Sequence, residues 1–159
     1  MERLERTAPE PIAQVARFGV PVLIEPRLGQ GAFRVSVTDA YSRRCALTGE
    51  RTLPILDAAH IKAYSEGGAH EIANGILLRT DIHRLFDLGY VTVSTDGRFE
   101  VGRRLKEDFE NGLHYYKMHC RPISVPADPR LRPSREALDW HHQRFFRLVP
   151  RSCHMPLAA

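Results

Sequence analysis

The sequence predicts one α+β domain, in which a small set of strands is flanked by helices. Its length of 159 residues suits a single domain. Short apolar runs typical of strands alternate with runs at helical spacing. Residues 53–88 follow a strand–loop–strand–helix order, and a hairpin comes next. We therefore divide the chain into a lead-in segment (1–31), a core (32–101) and a C-terminal part (102–159) that packs on the core.

The region before Cys45 contains one predicted helix. In the lead-in segment, FGVPVLIEP is an apolar run with two prolines, which favours a short extended stretch. Phe33, Val37 and Tyr41 then recur at helical spacing. This pattern predicts a helix over residues 32–43.

The middle of the chain supplies the strand–loop–strand–helix unit. LPILDAAHI and GILLR are short and apolar, as expected of buried strands, and the polar, Gly-rich SEGGAHEIANG between them predicts a loop. We expect Thr80 to cap a helix through DIHRLFD and Gly89 to end it.

The C-terminal elements are predicted from turn and cap residues. YVTVS and RFEV alternate around Thr95-Asp96-Gly97, which indicates a β-hairpin. RRLKEDFEN predicts a short helix, and HYYKMHCRPISVP predicts a second extended pair. Ser134 is expected to cap a last helix with a broad apolar face, REALDWHHQRFFRLV.

Composition excludes several classes of protein. No apolar run approaches the roughly 20 residues of a membrane span, and the charged MERLERTAPEP is unlike a secretory signal, so we expect a cytoplasmic protein. Three widely spaced cysteines favour reduced thiols over a disulfide framework and exclude a four-cysteine zinc module.

Three residues of the middle segment suit phosphodiester hydrolysis. His60 ends the first predicted strand, Asn74 precedes the second, and His83 lies in the first turn of the helix, so the unit can bring them to one small cleft. A neutral imidazole can take a proton from water near neutral pH. A divalent cation held by histidine, carboxylate or amide side chains can stabilise charge on the phosphate and leaving oxygens.

This segment resembles the HNH endonuclease family, whose core is the ββα-metal (His-Me finger) fold. The resemblance is carried by CALTGE, LDAAHI, the Gly-rich loop, NGILLRTDIHRLFD and YVTVS, and it is close over residues 45–95. The flanks are similar to those of bacterial HNH proteins described as restriction endonucleases. The resemblance implies metal-dependent DNA cleavage that leaves 5′-phosphate and 3′-hydroxyl ends, in restriction or defence.

The resemblance also implies roles for the three residues. His60 matches the general base, Asn74 matches the residue that binds metal or fixes the loop so that His60 is aimed, and His83 matches a metal ligand. The cation is Mg²⁺ or Mn²⁺ by preference, with Zn²⁺ or Ni²⁺ as alternatives.

The metal ligands depart from the family pattern. Many members carry Asp or His just before the first histidine, whereas this chain has Ala59. Asp57 is three residues before His60, an odd offset that points to the opposite face of an ideal strand. Either a bulge turns Asp57 inward, or His83, Asn74 and Asp81 hold the metal.

The expected partner is DNA, contacted mainly at its phosphates. The net charge is +4 and only three of the 23 basic residues are lysines, so arginine forks suited to phosphate predominate. Closeness to the active segment or to a Gly-rich turn selects five candidates for DNA contact: Arg27, Gln30, Arg34, Arg79 and Arg84. A homodimer is compatible with the sequence. The rival interpretation, supported by Ala59, is a DNA-binding module of the same fold with impaired catalysis.

Overall fold

The computed structural model describes residues 29–145 and residue 153. The extended stretch expected at FGVPVLIEP and the candidate Arg27 lie outside the described residues. In chain order the elements are α1 (Gln30–Ala40), β1 (Leu56–His60), β2 (Gly75–Arg79), α2 (Thr80–Asp87), β3 (Val91–Val93), β4 (Phe99–Val101), α3 (Arg104–Phe109), α4 (Leu113–Tyr116) and α5 (Arg135–Phe145). This mixture of helices and small sheets confirms the α+β class.

Two antiparallel strand pairs organise the molecule. β1 pairs with β2 from Leu56 opposite Arg79 to His60 opposite Gly75. β3 pairs with β4 as the predicted hairpin. Both α1 and α2 pack against the β1–β2 pair, and α5 packs against β3. The strand–loop–strand–helix order expected between residues 53 and 88 is therefore present.

The core lies where these elements meet. Ile76, Leu77 and Leu78 of β2 are all buried, which agrees with the unbroken apolar run GILLR. Ile82 and Phe86 of α2 are buried four residues apart, as expected for one face of a helix. The turn before β1 is tied to the same core, because the Ala46 N–H donates to the carbonyl of Leu77 over 2.8 Å.

The hairpin predicted within HYYKMHCRPISVP is wrong. Residues Leu113–Tyr116 form α4. The residues after it make an isolated bridge, Pro122 with Arg98, and backbone bonds to β4, such as that from the Phe99 N–H to the Arg121 carbonyl over 2.9 Å. The two tyrosines of this stretch form hydrogen bonds with other parts of the fold. The Tyr115 hydroxyl donates to Asp81 over 3.0 Å, and the Tyr116 hydroxyl donates to the Gly102 carbonyl over 2.7 Å. Tertiary contacts outweigh β-propensity here.

Two smaller expectations also need correction. The N-terminal cap of α2 is Arg79, one residue before Thr80, and its side chain makes no capping hydrogen bond. Cys120 and Cys153 form a disulfide, whereas reduced thiols were expected; their Cα atoms are 5.3 Å apart, within the normal range for a bridge. Their separation of 33 residues hid this pairing from the sequence. Cys45 is a buried free thiol, as expected.

Candidate active site

His60 lies at the end of β1 beneath helix α1. The Phe33 ring of α1 stacks on its imidazole, with centroids 3.9 Å apart and planes 12° from parallel. Opposite His60 in the sheet is Gly75, where a Cβ atom would come within 2.6 Å of Val37 and 3.0 Å of Phe33. A glycine is therefore required after Asn74 for α1 to cover the strand pair and hold the imidazole.

Asn74 fastens the loop between β1 and β2. It is buried, its Oδ1 accepts from the Lys62 N–H over 2.9 Å, and its Nδ2 donates to the carbonyls of Lys62 and Ala69 over 3.0 and 2.9 Å. Gly68 makes the fold of this loop feasible, because a Cβ there would lie 1.9 Å from the Lys62 carbonyl oxygen. These contacts favour the loop-fixing alternative for Asn74.

His83 lies between two carboxylates. Its Nδ1 is 3.5 Å from Asp57 Oδ2, and its Nε2 is 3.3 Å from Asp87 Oδ2. Asp57 belongs to β1, and Asp87 follows His83 by one helical turn. Residues 56–60 pair one to one with residues 75–79, so Asp57 reaches the histidine without the bulge that seemed necessary.

The carboxylates also set the protonation of His83. Burial alone would lower its pKa, but the hydrogen bonds and charges of Asp87 and Asp57 together raise the pKa above its ordinary value. The ring therefore binds a proton readily when no cation competes for it. Asp87 was given no role from the sequence, although its i,i+4 spacing from His83 could have indicated contact.

After Asp87, His70 is a second residue of the site that the sequence alone does not connect with His60. Its Nδ1 is 3.0 Å from His60 Nε2, and its ring stacks on Tyr64 with centroids 4.4 Å apart. Asn74 holds the carbonyl of Ala69, the preceding residue. His70 is therefore brought to His60 by the loop that Asn74 fixes.

These side chains share one cleft. A cavity of about 300 Å³ is lined by His60, His70, His83 and Asp87, and a neighbouring cavity shares His60 and His83 and adds Asp57. Gln30, a candidate for DNA contact, lines both cavities. The cleft thus brings Asp57 together with His60 and His83. This is the arrangement expected from the alternative in which Asp57 is turned inward.

Asn74 and Asp81 do not line this cleft. Asn74 lines a different cavity beside α5. Asp81 accepts two hydrogen bonds from Arg79, over 2.9 and 2.6 Å, and one from Tyr115. The bonds from Arg79, against the cost of burial, lower the pKa of Asp81 to about 2. The alternative in which Asn74 and Asp81 complete the metal site therefore gains no support.

The candidate arginines differ in the hydrogen bonds and ion pairs that their guanidinium groups make. Arg79 is engaged by Asp81, and Arg34 donates to Asp57 over 3.2 Å and to the Leu56 carbonyl over 3.0 Å. Arg84 is exposed on α2, and its guanidinium bonds to none of the described residues. Arg84 is therefore the candidate best placed to meet a phosphate, while Arg34 fixes Asp57.

A second cluster of metal-type donors is a disulfide site. Atoms of His119, Cys120 and Cys153 lie within 4.8 Å of one another. The two sulfurs are bonded together, and His119 Nδ1 accepts from the Val101 N–H over 3.0 Å. A neutral ring that accepts at Nδ1 carries its proton on Nε2, so neither the sulfurs nor the imidazole offers a ready lone pair.

Comparison with known proteins finds a family match for one segment of the chain. Residues 45–94 match the model of a family described as HNH endonuclease. This confirms the resemblance for that segment, about a third of the chain. His60, Asn74 and His83 all lie within it.

A solved structure with a similar fold is that of the modification dependent TagI restriction endonuclease. The TM-score is 0.53 at 18% sequence identity, over 72% of this chain and 37% of that protein. This chain therefore corresponds to less than half of that enzyme. No curated protein matches the chain. In the part of the chain that is described, no helix has the length and apolar character needed to cross a membrane.

Proposed function

We propose that this chain is a divalent-metal-dependent endonuclease that hydrolyses DNA phosphodiester bonds in restriction or defence. The observation that carries the proposal is the shared cleft of His60 and His83, inside the segment that matches HNH endonucleases. In this proposal β1, β2 and α2 form the ββα-metal core.

The residues around His83 fit a divalent cation. Nδ1 of His83 and Oδ2 of Asp57, 3.5 Å apart, are near enough to bind one ion. Asp87 lies at the other ring nitrogen, as carboxylates commonly do when a histidine binds metal and its second N–H needs an acceptor. Two protein ligands also suit Mg²⁺, which keeps waters and takes phosphate oxygens as further ligands.

A bound cation would stabilise negative charge on the phosphate and leaving oxygens. The remaining chemistry falls to His60. Its imidazole accepts a proton from water as the water oxygen bonds to phosphorus. The bond from phosphorus to the 3′ oxygen breaks on the opposite side, and that oxygen takes a proton from solvent.

DNA binding is proposed to rest on phosphate contacts. Gln30 and Arg34 line the cavities of the cleft, and Arg84 is exposed on α2. Such contacts position the duplex without reading its sequence. The described TagI enzyme depends on modification, but the similarity covers only part of that protein. Unmodified DNA and DNA with modified bases should therefore both be tested as substrates.

Cleavage of supercoiled plasmid tests the proposal. We expect nicked or linear products with Mg²⁺ or Mn²⁺ and none when EDTA is present. Plasmids with and without modified bases serve as parallel substrates. DNA binding without cleavage under all these conditions would favour the impaired DNA-binding module, for which Ala59 before His60 remains the specific observation.

A further inference from the structure

His70 makes a contact that the proposed reaction does not yet use. Its Nδ1 is 3.0 Å from His60 Nε2, so one of the two imidazoles donates a hydrogen bond to the other. Tyr64 stacks on the His70 ring, and a Cβ at Gly29 would lie 3.4 Å from His70 Cδ2. Asn74 holds the neighbouring Ala69 carbonyl. The position of His70 is therefore fixed from several sides.

The direction of this hydrogen bond decides whether His60 can act as a base. If His70 donates, a neutral His60 must carry its proton on Nδ1 and has no lone pair left for water. If His60 donates from Nε2, its Nδ1 has a lone pair that can take the proton. Protonated His60 would keep the same donor bond to His70.

We propose that His70 is a positioning residue that accepts the Nε2 proton of His60 and thereby makes Nδ1 of His60 the base. The proposal rests on the nuclease function proposed above and adds a residue to it. His70 Nε2 is buried without a hydrogen-bond partner among the described residues. Whichever tautomer is present, His60 is therefore the hydrogen-bond partner of the His70 ring among the described residues.

Substitutions at His70 separate this role from packing. An Asn side chain places its oxygen the same number of bonds from Cα as Nδ1, whereas Gln places it one bond farther out. We expect His70→Ala and His70→Phe to lower the single-turnover cleavage rate about 10–100-fold, the loss typical when the partner that orients a functional histidine is removed. His70→Asn should recover most of the rate and His70→Gln should not, with DNA affinity unchanged in all four variants.

A double-mutant cycle supplies the control. Because His70 acts through His60, His70→Ala should cost little further in a His60→Ala background. Full additivity of the two losses, or equal activity of the Asn and Gln variants, would overturn the proposal.

A spectroscopic readout does not require cleavage. Long-range ¹H–¹⁵N correlation spectra of protein labelled with ¹⁵N-histidine show which nitrogen of His60 carries hydrogen. We expect Nε2–H in the wild type and loss of this preference in His70→Ala. A wild-type His60 protonated at Nδ1 would refute the inference about His70, while absence of plasmid cleavage with an Nε2–H tautomer would refute only the nuclease function.

Discussion

His141 should make the fold sensitive to mild acid. Its ring is 1% exposed and stacks on Phe86 of α2, with centroids 3.6 Å apart. Nε2–H donates to the Phe86 carbonyl over 3.0 Å, while Nδ1 accepts from the Thr92 hydroxyl over 2.8 Å. Burial lowers the pKa of His141 from 6.5 to about 4. The folded protein therefore favours the neutral form of His141, because burial penalises the charged ring between α5 and α2.

The sign follows from proton uptake. Between pH 6.5 and 4 the unfolded chain protonates this histidine and the folded chain does not, so the free energy of unfolding falls as the pH falls. With a folded pKa of about 4, the loss between pH 7 and pH 5 is about 2 kcal/mol. His83 acts in the opposite direction, because its pKa is raised in the folded protein.

Urea unfolding of wild type and His141→Gln at pH 7 and pH 5 measures this difference. Glutamine can still donate to the Phe86 carbonyl but does not titrate, and the contribution of His83 is the same in both proteins. We expect wild type to lose about 2 kcal/mol more than the variant between these pH values. An equal loss in both proteins would refute the assignment of a neutral, buried His141.

Four further predictions concern the site. His83→Ala should weaken Mn²⁺ binding in calorimetry more than Asp87→Ala, for which a loss of about 10–100-fold is expected of an outer partner; equal affinity in all three proteins would remove both residues from the metal site. In the wild type, Mn²⁺ affinity should fall as the pH drops from 8 to 6.5, since protons compete for His83; a constant affinity would contradict this. Asn74→Ala should lower the free energy of unfolding by about 1–3 kcal/mol in urea titrations, because the N–H and carbonyl groups of the loop lose their hydrogen-bond partner. A loss below about 0.5 kcal/mol would contradict the role of Asn74 in fixing the loop. Arg84→Gln should make the dependence of log K on log salt shallower by about one unit in fluorescence anisotropy, with no change expected if Arg84 does not meet phosphate.

The sequence predicts the elements whose patterns are local. GILLR forms β2 because every one of its apolar residues finds a buried position, and DIHRLFD forms α2 because Ile82 and Phe86 share one face. Ser134 caps α5 as expected, accepting from the Ala137 N–H over 3.1 Å. These elements needed no knowledge of distant contacts.

Distant contacts explain what the sequence did not predict. Asp57 and His83 are 26 positions apart, and only the packing of α2 on β1 brings Asp57 to the imidazole. Nothing local in the sequence links His70 to His60; the link is a loop that Asn74 folds back. Asp81 is drawn away by Arg79 and by Tyr115, which is distant in sequence.

The most direct test of the account is the cleavage rate of His60→Ala under single-turnover conditions with Mn²⁺. His114→Ala is the matched control, since His114 is an exposed histidine that does not line the cleft. We expect a loss of about 2–4 orders of magnitude in His60→Ala, as for removal of a general base, with DNA and Mn²⁺ affinities and thermal stability maintained and His114→Ala near wild type. Near-normal cleavage by His60→Ala would contradict the assignment of His60 as the base.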